Sequence, residues 1–259
     1  MNLLVLLKMV PDVVEELEVA PDGKSLDTEF LRLILNEPDD HALEEALLLK
    51  ERYGGTVTVL APDAPEVDEA LSTALAKGAD RALKLAGVEA GSRTAGLAAA
   101  VSEAIAVAPG LQPLDLILTG TQSNDDLDTL LAPALAYRMG MPFLGIVTQV
   151  APDAGRGVVT VQKECPKGIR AEFEMPMPAV LGIQAAEKPP RYVPVAKVRA
   201  AMKAQRIEAV EANAPGGART IEVIAMDKPV VSERAEMLEG SPEEVAGRVC
   251  EILIARGLL

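Results

Sequence analysis

Along the first half of the chain, short apolar runs alternate with helical patterns. The runs Leu3–Leu7, Val57–Ala61, Ala82–Leu85 and Leu114–Leu118 read as buried strands. Between them lie amphipathic stretches: Pro38–Arg52, with apolar Ala42, Leu43, Ala46, Leu47 and Leu49; Ala64–Lys77; and Ser92–Val107, which Ser92 is suited to cap. A strand followed each time by a crossover helix is the rhythm of an open, mostly parallel sheet with helices on both faces, an α/β fold of nucleotide-binding-like type. After Gly120 comes a polar patch, Thr121 to Asp126, and then Leu127–Met139 as a helix that Pro133 must kink or shorten.

Beyond Phe143 the punctuation changes. Runs at Leu144–Val150, Val158–Gln162, Ala171–Glu174 and Ala179–Ile183 are separated by Pro and Gly, which predicts an appended region of antiparallel strands joined by turns. Lys188–Arg206 then holds six basic residues and no acidic one, with prolines at 189, 190 and 194, and reads as an extended arm running into a short helix. Residues 207–240 look irregular apart from one strand at Thr220–Ala225, and Ser241-Pro242-Glu243-Glu244 opens a final helix with a capping box. The expected division is residues 1–183 as the α/β domain with its appended strands, and 184–259 as a C-terminal arm and extension ending in a helix.

Composition narrows the chemistry. In 259 residues, 49% hydrophobic and 25% charged, there are three Tyr, three Phe, no Trp and one histidine, His41. General acid–base catalysis usually recruits His, and bases and single strands are usually stacked on aromatic rings, so a self-contained active site or a nucleic-acid platform is poorly equipped. A net charge of −14 repels phosphate backbones and predicts no nucleic-acid partner. Cys165 and Cys250 form no CxxC pair and offer neither a disulfide scaffold nor a zinc site, which suits a reducing cytoplasm. The N-terminal run is too short to span a bilayer and lacks a basic leader and a small-residue cleavage site, so stable membrane insertion is not expected.

In an open parallel sheet, ligands sit beyond the carboxyl ends of the strands, which directs attention to the loops after Leu7, Ala61 and Leu118. None carries a P-loop lysine motif or GxGxxG. In the Gly120–Asp128 loop, Gly120 permits a close turn while Thr121, Gln122, Ser123 and Asn124 offer donors near a helix N-terminus that favours an anion. The competing reading is that these residues only cap the next helix, and three aspartates oppose a bound phosphate. Asp125, Asp126 and Asp128 as a cation site lack the EF-hand glycine and distal Glu. His41, without a second His or Cys beside it, reads as structural, and so does Cys165, beside Lys163 but with no partner base.

Ordered blocks along nearly the whole chain resemble a known family, the β subunits of electron transfer flavoproteins. Leu7-Lys8-Met9-Val10-Pro11-Asp12 is similar to its first loop, Ala20-Pro21-Asp22-Gly23 to its Lys-Pro-Asp-Gly turn, and Asn36-Glu37-Pro38 through Glu44-Glu45-Ala46 to its Asn-Pro helix start. Thr73-Ala74-Leu75-Ala76-Lys77-Gly78-Ala79-Asp80-Arg81 matches its most specific segment almost letter for letter, and Pro178-Ala179-Val180-Leu181 and Pro190-Arg191-Tyr192 follow at the proper separation. The resemblance implies an electron carrier rather than an enzyme: a heterodimer with an α subunit that holds most of one FAD, taking electrons from an acyl-CoA dehydrogenase or another flavin dehydrogenase. It also implies a structural AMP, or in flavin-bifurcating relatives a second FAD. Carried over onto this chain, the nucleotide place would involve Leu6, Asn36, Asp39, Pro62, Gly120, Thr121, Gln122, Ser123, Asn124, Asp125, Asp126 and Thr129. The basic arm coincides with the recognition loop, Ile183–Gln205, with Val195 at the anchoring leucine and Lys188, Arg191, Tyr192, Lys197 and Arg199 around it. Other readings of the strip are a solvated basic surface, or one docked on the α subunit.

The departures fall at the nucleotide site. Where the family's AMP loop carries Asn-Gln-Thr, this chain has Thr129-Leu130-Leu131; two hydrogen bonds to a charged group, each worth ~1.5–3 kcal/mol, are thereby lost, which speaks against AMP. The bifurcating Gly-Asp-Thr-Ala-Gln-Val loop is not matched either, a Ser-x-Gly-Pro turn is replaced by Ala61-Pro62-Asp63-Ala64, and an aromatic often found near the flavin is Val13. The sequence thus predicts an electron-carrier β subunit. The alternative is a stand-alone adenine-nucleotide-binding regulatory module of the same fold without a redox role.

Overall fold

In a computed structural model of the chain, the described residues are 1–88, 94–212, 223–229, 235 and 237–259. β1 (Asn2–Leu6) begins the sheet and leads through a small antiparallel pair, β2 (Met9–Pro11) and β3 (Leu33–Leu35), into α1 (Glu37–Tyr53). Then follow β4 (Thr56–Pro62), α2 (Val67–Lys77), β5 (Arg81–Ala86), α3 (Thr94–Val107), β6 (Leu116–Gly120) and α4 (Leu131–Met139). β7 (Phe143–Asp153), β8 (Val158–Cys165), β9 (Ile169–Pro176) and β10 (Ala179–Ile183) come next, and α5 (Val195–Ala204), β11 (Ile207–Glu211) and α6 (Pro242–Ala255) close the chain.

Nine strands form one sheet in the order β11-β5-β4-β1-β6-β10-β7-β8-β9. The neighbours from β11 through β7 pair in parallel, and β7-β8-β9 is an antiparallel meander at one end. β1 shows why the sheet needs cover on both faces: Leu3, Val5 and Leu7 enter one core with residues of α1, α2 and α5, while Leu4 and Leu6 enter a second with α3 and α4. The expected fold class is observed.

Two strands differ from their expected places. Ala179–Ile183 lies between β6 and β7 and runs parallel to both, instead of joining an antiparallel hairpin. Its five residues are all buried and apolar, the mark of a central parallel strand covered on both faces. Ile207–Glu211, expected to be irregular, is a parallel edge strand on β5, with Val210 in the second core. Of the strand expected at Thr220–Ala225, residues 220–222 lie outside the described residues and 223–225 are not in a strand. Ser92 also lies outside them. Leu127–Met139 is helical only from Leu131, so Pro133 falls in the first turn, where its missing N–H has no intrahelical acceptor to lose. The final helix has the expected capping box between Ser241 and Glu244. Among the described residues no helix is long and apolar enough to cross a membrane.

Candidate functional site

The strand order reverses at β1. From it the chain steps outward to β4 and β5, and α3 then carries it back to β6 on the other side. The loops leaving β1 and β6 therefore open on the same crevice, the place where open α/β sheets bind ligands. The start of α1 stitches these loops together. Asn36 receives no side-chain bond as a cap; its N–H donates to Lys8 O at 2.9 Å and its Nδ2 to Gln122 O at 2.9 Å. Asp39 accepts from the Lys8 N–H on one carboxylate oxygen and from the Gly120 N–H on the other, both at 2.9 Å. Gly120 is required for this approach, since a Cβ there would collide with the Asp39 carboxylate and lie 2.8 Å from Pro38. Burial pushes the Asp39 carboxyl up to about 7, with the Gly120 N–H acting against it.

Lys8 crosses the mouth of the crevice. Its ammonium donates to Ser123 Oγ at 3.2 Å, Asp125 Oδ1 at 2.7 Å and Asp126 Oδ2 at 3.0 Å. Burial alone would lower the Lys8 pKa, but the hydrogen bonds and charges of Asp125 and Asp126 leave it raised; burial of Asp126 is likewise outweighed by Lys8, so its carboxyl lies below the usual range. Asp128 faces another way: it accepts the Thr94 hydroxyl and, at 2.9 Å, the Leu130 N–H. Asp125 and Asp126 thus converge on the Lys8 ammonium, while Asp128 is turned away to Thr94 and Leu130. Leu127 and Thr129, with φ of 54° and 56°, are held in the left-handed region within this loop.

A small open cleft is lined by Lys8, Thr121, Gln122, Ser123, Asp126 and Thr129 among others, with Thr94, Leu97 and Asp128 to Ala132 completing its wall. Of the sequence-predicted residues, Asn36, Asp39 and Gly120 to Ser123, with Asp125 and Asp126, come together around Lys8. Thr121 anchors the loop by donating from its hydroxyl to Gly182 O and accepting the Ile146 N–H, each at 3.3 Å. Leu6 is buried at the end of β1, Pro62 half-buried at the end of β4, and Asn124 exposed at the loop tip. Lys8, Thr94 and Asp128 were not among the predicted ligand residues. Lys8 could have been found from its place one residue past the first strand; Thr94 and Asp128 lie 34 residues apart and carried no signal.

Residues 184–194, which contain the start of the basic arm, form neither helix nor strand, and the chain continues as α5, which packs on α2. Lys188, Tyr192, Val195, Lys197 and Arg199 are exposed, Tyr192 at 84% and Val195 at 60%. Arg191 instead turns inward to Glu44 at 2.8 Å and Glu51 at 2.6 Å. His41 has a structural contact, its Nδ1 accepting the Ala186 N–H at 3.2 Å.

Residues 26–215 match the family model described as the electron transfer flavoprotein domain. The chain is 31% identical over 270 residues to electron transfer flavoprotein subunit beta of Methylophilus methylotrophus, covering 98% of each. It is 33% identical over 200 residues to the subunit beta of Clostridium acetobutylicum, covering 76% of this chain and 74% of that one. Protein FixA of Azotobacter vinelandii is 31% identical over 183 residues, 70% of this chain and 64% of its own.

Proposed function

The chain belongs to the electron transfer flavoprotein domain family, and from that premise we propose that it is the β subunit of a heterodimeric electron carrier between flavin dehydrogenases and a downstream acceptor. The observation that carries this reading is the exposed strip Lys188–Arg199, with apolar Val195 and Tyr192 among Lys188, Lys197 and Arg199. An apolar anchor among like charges suits a partner that is steered in and released quickly. Residues 1–183 serve as the body and 184–259 as the recognition extension.

FAD, held mostly by the α subunit, supplies the redox chemistry. Around it this chain has structural work to do: the stitch of Asn36, Asp39 and Gly120 fixes the loops after β1 and β6, and exposed Val13, Val14, Leu127 and Leu130 on those loops are donor-poor side chains suited to an apolar wall. The residues do not fit a bound AMP phosphate. The Asp128 carboxylate already accepts an N–H at the start of α4, Lys8 is neutralised by Asp125 and Asp126, and Leu130 and Leu131 have no side-chain donor. Of the three aspartates in the cleft wall, Asp39, Asp126 and Asp128, the last two stand beside the start of α4 and repel the anion it would otherwise attract. The complex is therefore expected to work without AMP in this subunit, with Asp125 and Asp126 already paired with Lys8 and Asp39 with the Lys8 and Gly120 N–H groups.

Purification of the native complex tests both statements. Mass spectrometry after denaturation should find an α subunit and one FAD per heterodimer, with no AMP. Stoichiometric AMP would overturn the nucleotide-free reading; a colourless homodimer binding AMP or ATP would overturn the electron-carrier reading in favour of a regulatory module.

A further inference from the structure

Residues 184–194 include no strand or helix, yet their backbone is fastened at three points by side chains from α1. The Ala186 N–H donates to His41 Nδ1 at 3.2 Å, the Glu187 N–H to Glu45 Oε2 at 2.9 Å and the Arg191 N–H to Glu44 Oε2 at 3.0 Å. The Arg191 guanidinium then returns to Glu44 through Nε at 3.0 Å and Nη2 at 2.8 Å, while Nη1 reaches Glu51 at 2.6 Å. Glu44 and Glu45 are 3% and 2% exposed, and a carboxylate buried that far is unfavourable without hydrogen bonds to satisfy it. Their bonds go to the arm. Spacings of three, four and ten residues from His41 keep these side chains on one flank of α1, so a single helix aligns all of them.

The pin at Arg191 immediately precedes Tyr192 and stands four residues before Val195, the two most exposed apolar side chains of the strip. A fork of guanidinium bonds fixes direction as well as distance, which a lone ammonium would not. We propose that His41, Glu44, Glu45 and Glu51 are positioning residues that hold Tyr192 and Val195 in the geometry a dehydrogenase meets. The inference rests on the reading of the strip as the docking segment. Its consequence is kinetic: with the arm already ordered, the dehydrogenase does not have to order it on binding, so loosening it raises KM while electron transfer within the formed complex is unchanged.

The test uses the heterodimer carrying Glu44→Ala, with Glu51→Gln as a second variant because the Glu51 side chain is 57% exposed, where substitutions ordinarily change stability little. Amide hydrogen exchange over residues 184–194 and steady-state reduction by an acyl-CoA dehydrogenase are measured together. Loss of charge-assisted bonds is expected to speed exchange by about tenfold or more. The dehydrogenase's KM for the heterodimer is expected to rise about threefold to tenfold with kcat within about twofold and the flavin absorbance unaltered. Unchanged exchange in both variants overturns the positioning role, whatever the kinetics. Faster exchange with unmoved KM also overturns it if Val195→Ala raises KM; if Val195→Ala leaves KM unmoved too, the docking reading itself falls.

Discussion

Asp39 couples two loops through one carboxylate. Its oxygens accept the N–H groups of Lys8 and Gly120, yet burial raises its pKa from 3.8 to about 7. Below about pH 4 the carboxyl is protonated folded or unfolded; between there and about 7 the folded chain keeps a proton that the unfolded chain releases. Its contribution to stability therefore falls as pH rises through that window and levels off above it. Asp39→Asn removes the titration but also one acceptor, so the substitution costs most at low pH. The stability gap between wild type and Asp39→Asn, from urea unfolding, is expected to narrow by about 1–4 kcal/mol between about pH 4.5 and pH 8. A gap that widens with pH would mean that the folded chain holds Asp39 ionised throughout. Lys8, 117 and 118 residues from its aspartates, shows the other side of the same balance: burial opposes its charge and two carboxylates restore it.

Among the elements, α4 shows which of two consequences of a proline is realised. Proline is excluded from a helix interior, and the expectation was a kinked or shortened helix from Leu127. The helix is shortened: it begins at Leu131, which leaves Pro133 in the first turn. Pro133→Ala is accordingly expected to change the unfolding free energy by less than about 1 kcal/mol, whereas Ala136→Pro, in the second turn, should cost about 3 kcal/mol or more. A large gain from Pro133→Ala in thermal or urea unfolding would show a strained kink. The helices α1 and α2 were legible because acidic starts, basic last turns, a following glycine and the helical period coincide, α3 from its long apolar stretch without charged ends, and β1, β4, β5 and β6 because each is a short apolar run. β10 was seen in place but not in direction, since an apolar pentapeptide does not encode its neighbours. β11 was missed because Ile207–Glu211 has neither strict alternation nor a continuous apolar run and lies at an edge, where Glu208 pairs with Arg81 and only Val210 is deeply buried. In the candidate site, Asn36, Asp39 and Gly120 were legible through resemblance. Pairs such as Arg191 with Glu44 and Thr94 with Asp128 were not, because they join residues from distant parts of the chain.

For the whole molecule, the charge is divided rather than uniform. Lys188–Arg206 carries +6, which leaves 19 basic against 39 acidic residues in the rest, a body of −20. The structure reduces the arm's available charge: Arg191 is turned onto Glu44 and Glu51, so Lys188, Lys197, Arg199, Lys203 and Arg206 remain as its exposed cations. Exposed charges act mainly on encounter and are screened within about 8 Å at physiological ionic strength. An acidic docking face on the dehydrogenase would therefore be attracted by the strip and repelled by the body, which favours approach in one orientation. The second-order rate of flavin reduction is expected to fall about tenfold between low and physiological salt. In Lys197→Glu with Arg199→Glu, stopped-flow reduction should be slower at low salt and should lose most of that dependence, while FAD content stays the same. Equal salt slopes for wild type and the double variant would move the docking surface away from α5, toward the acidic body and a basic partner.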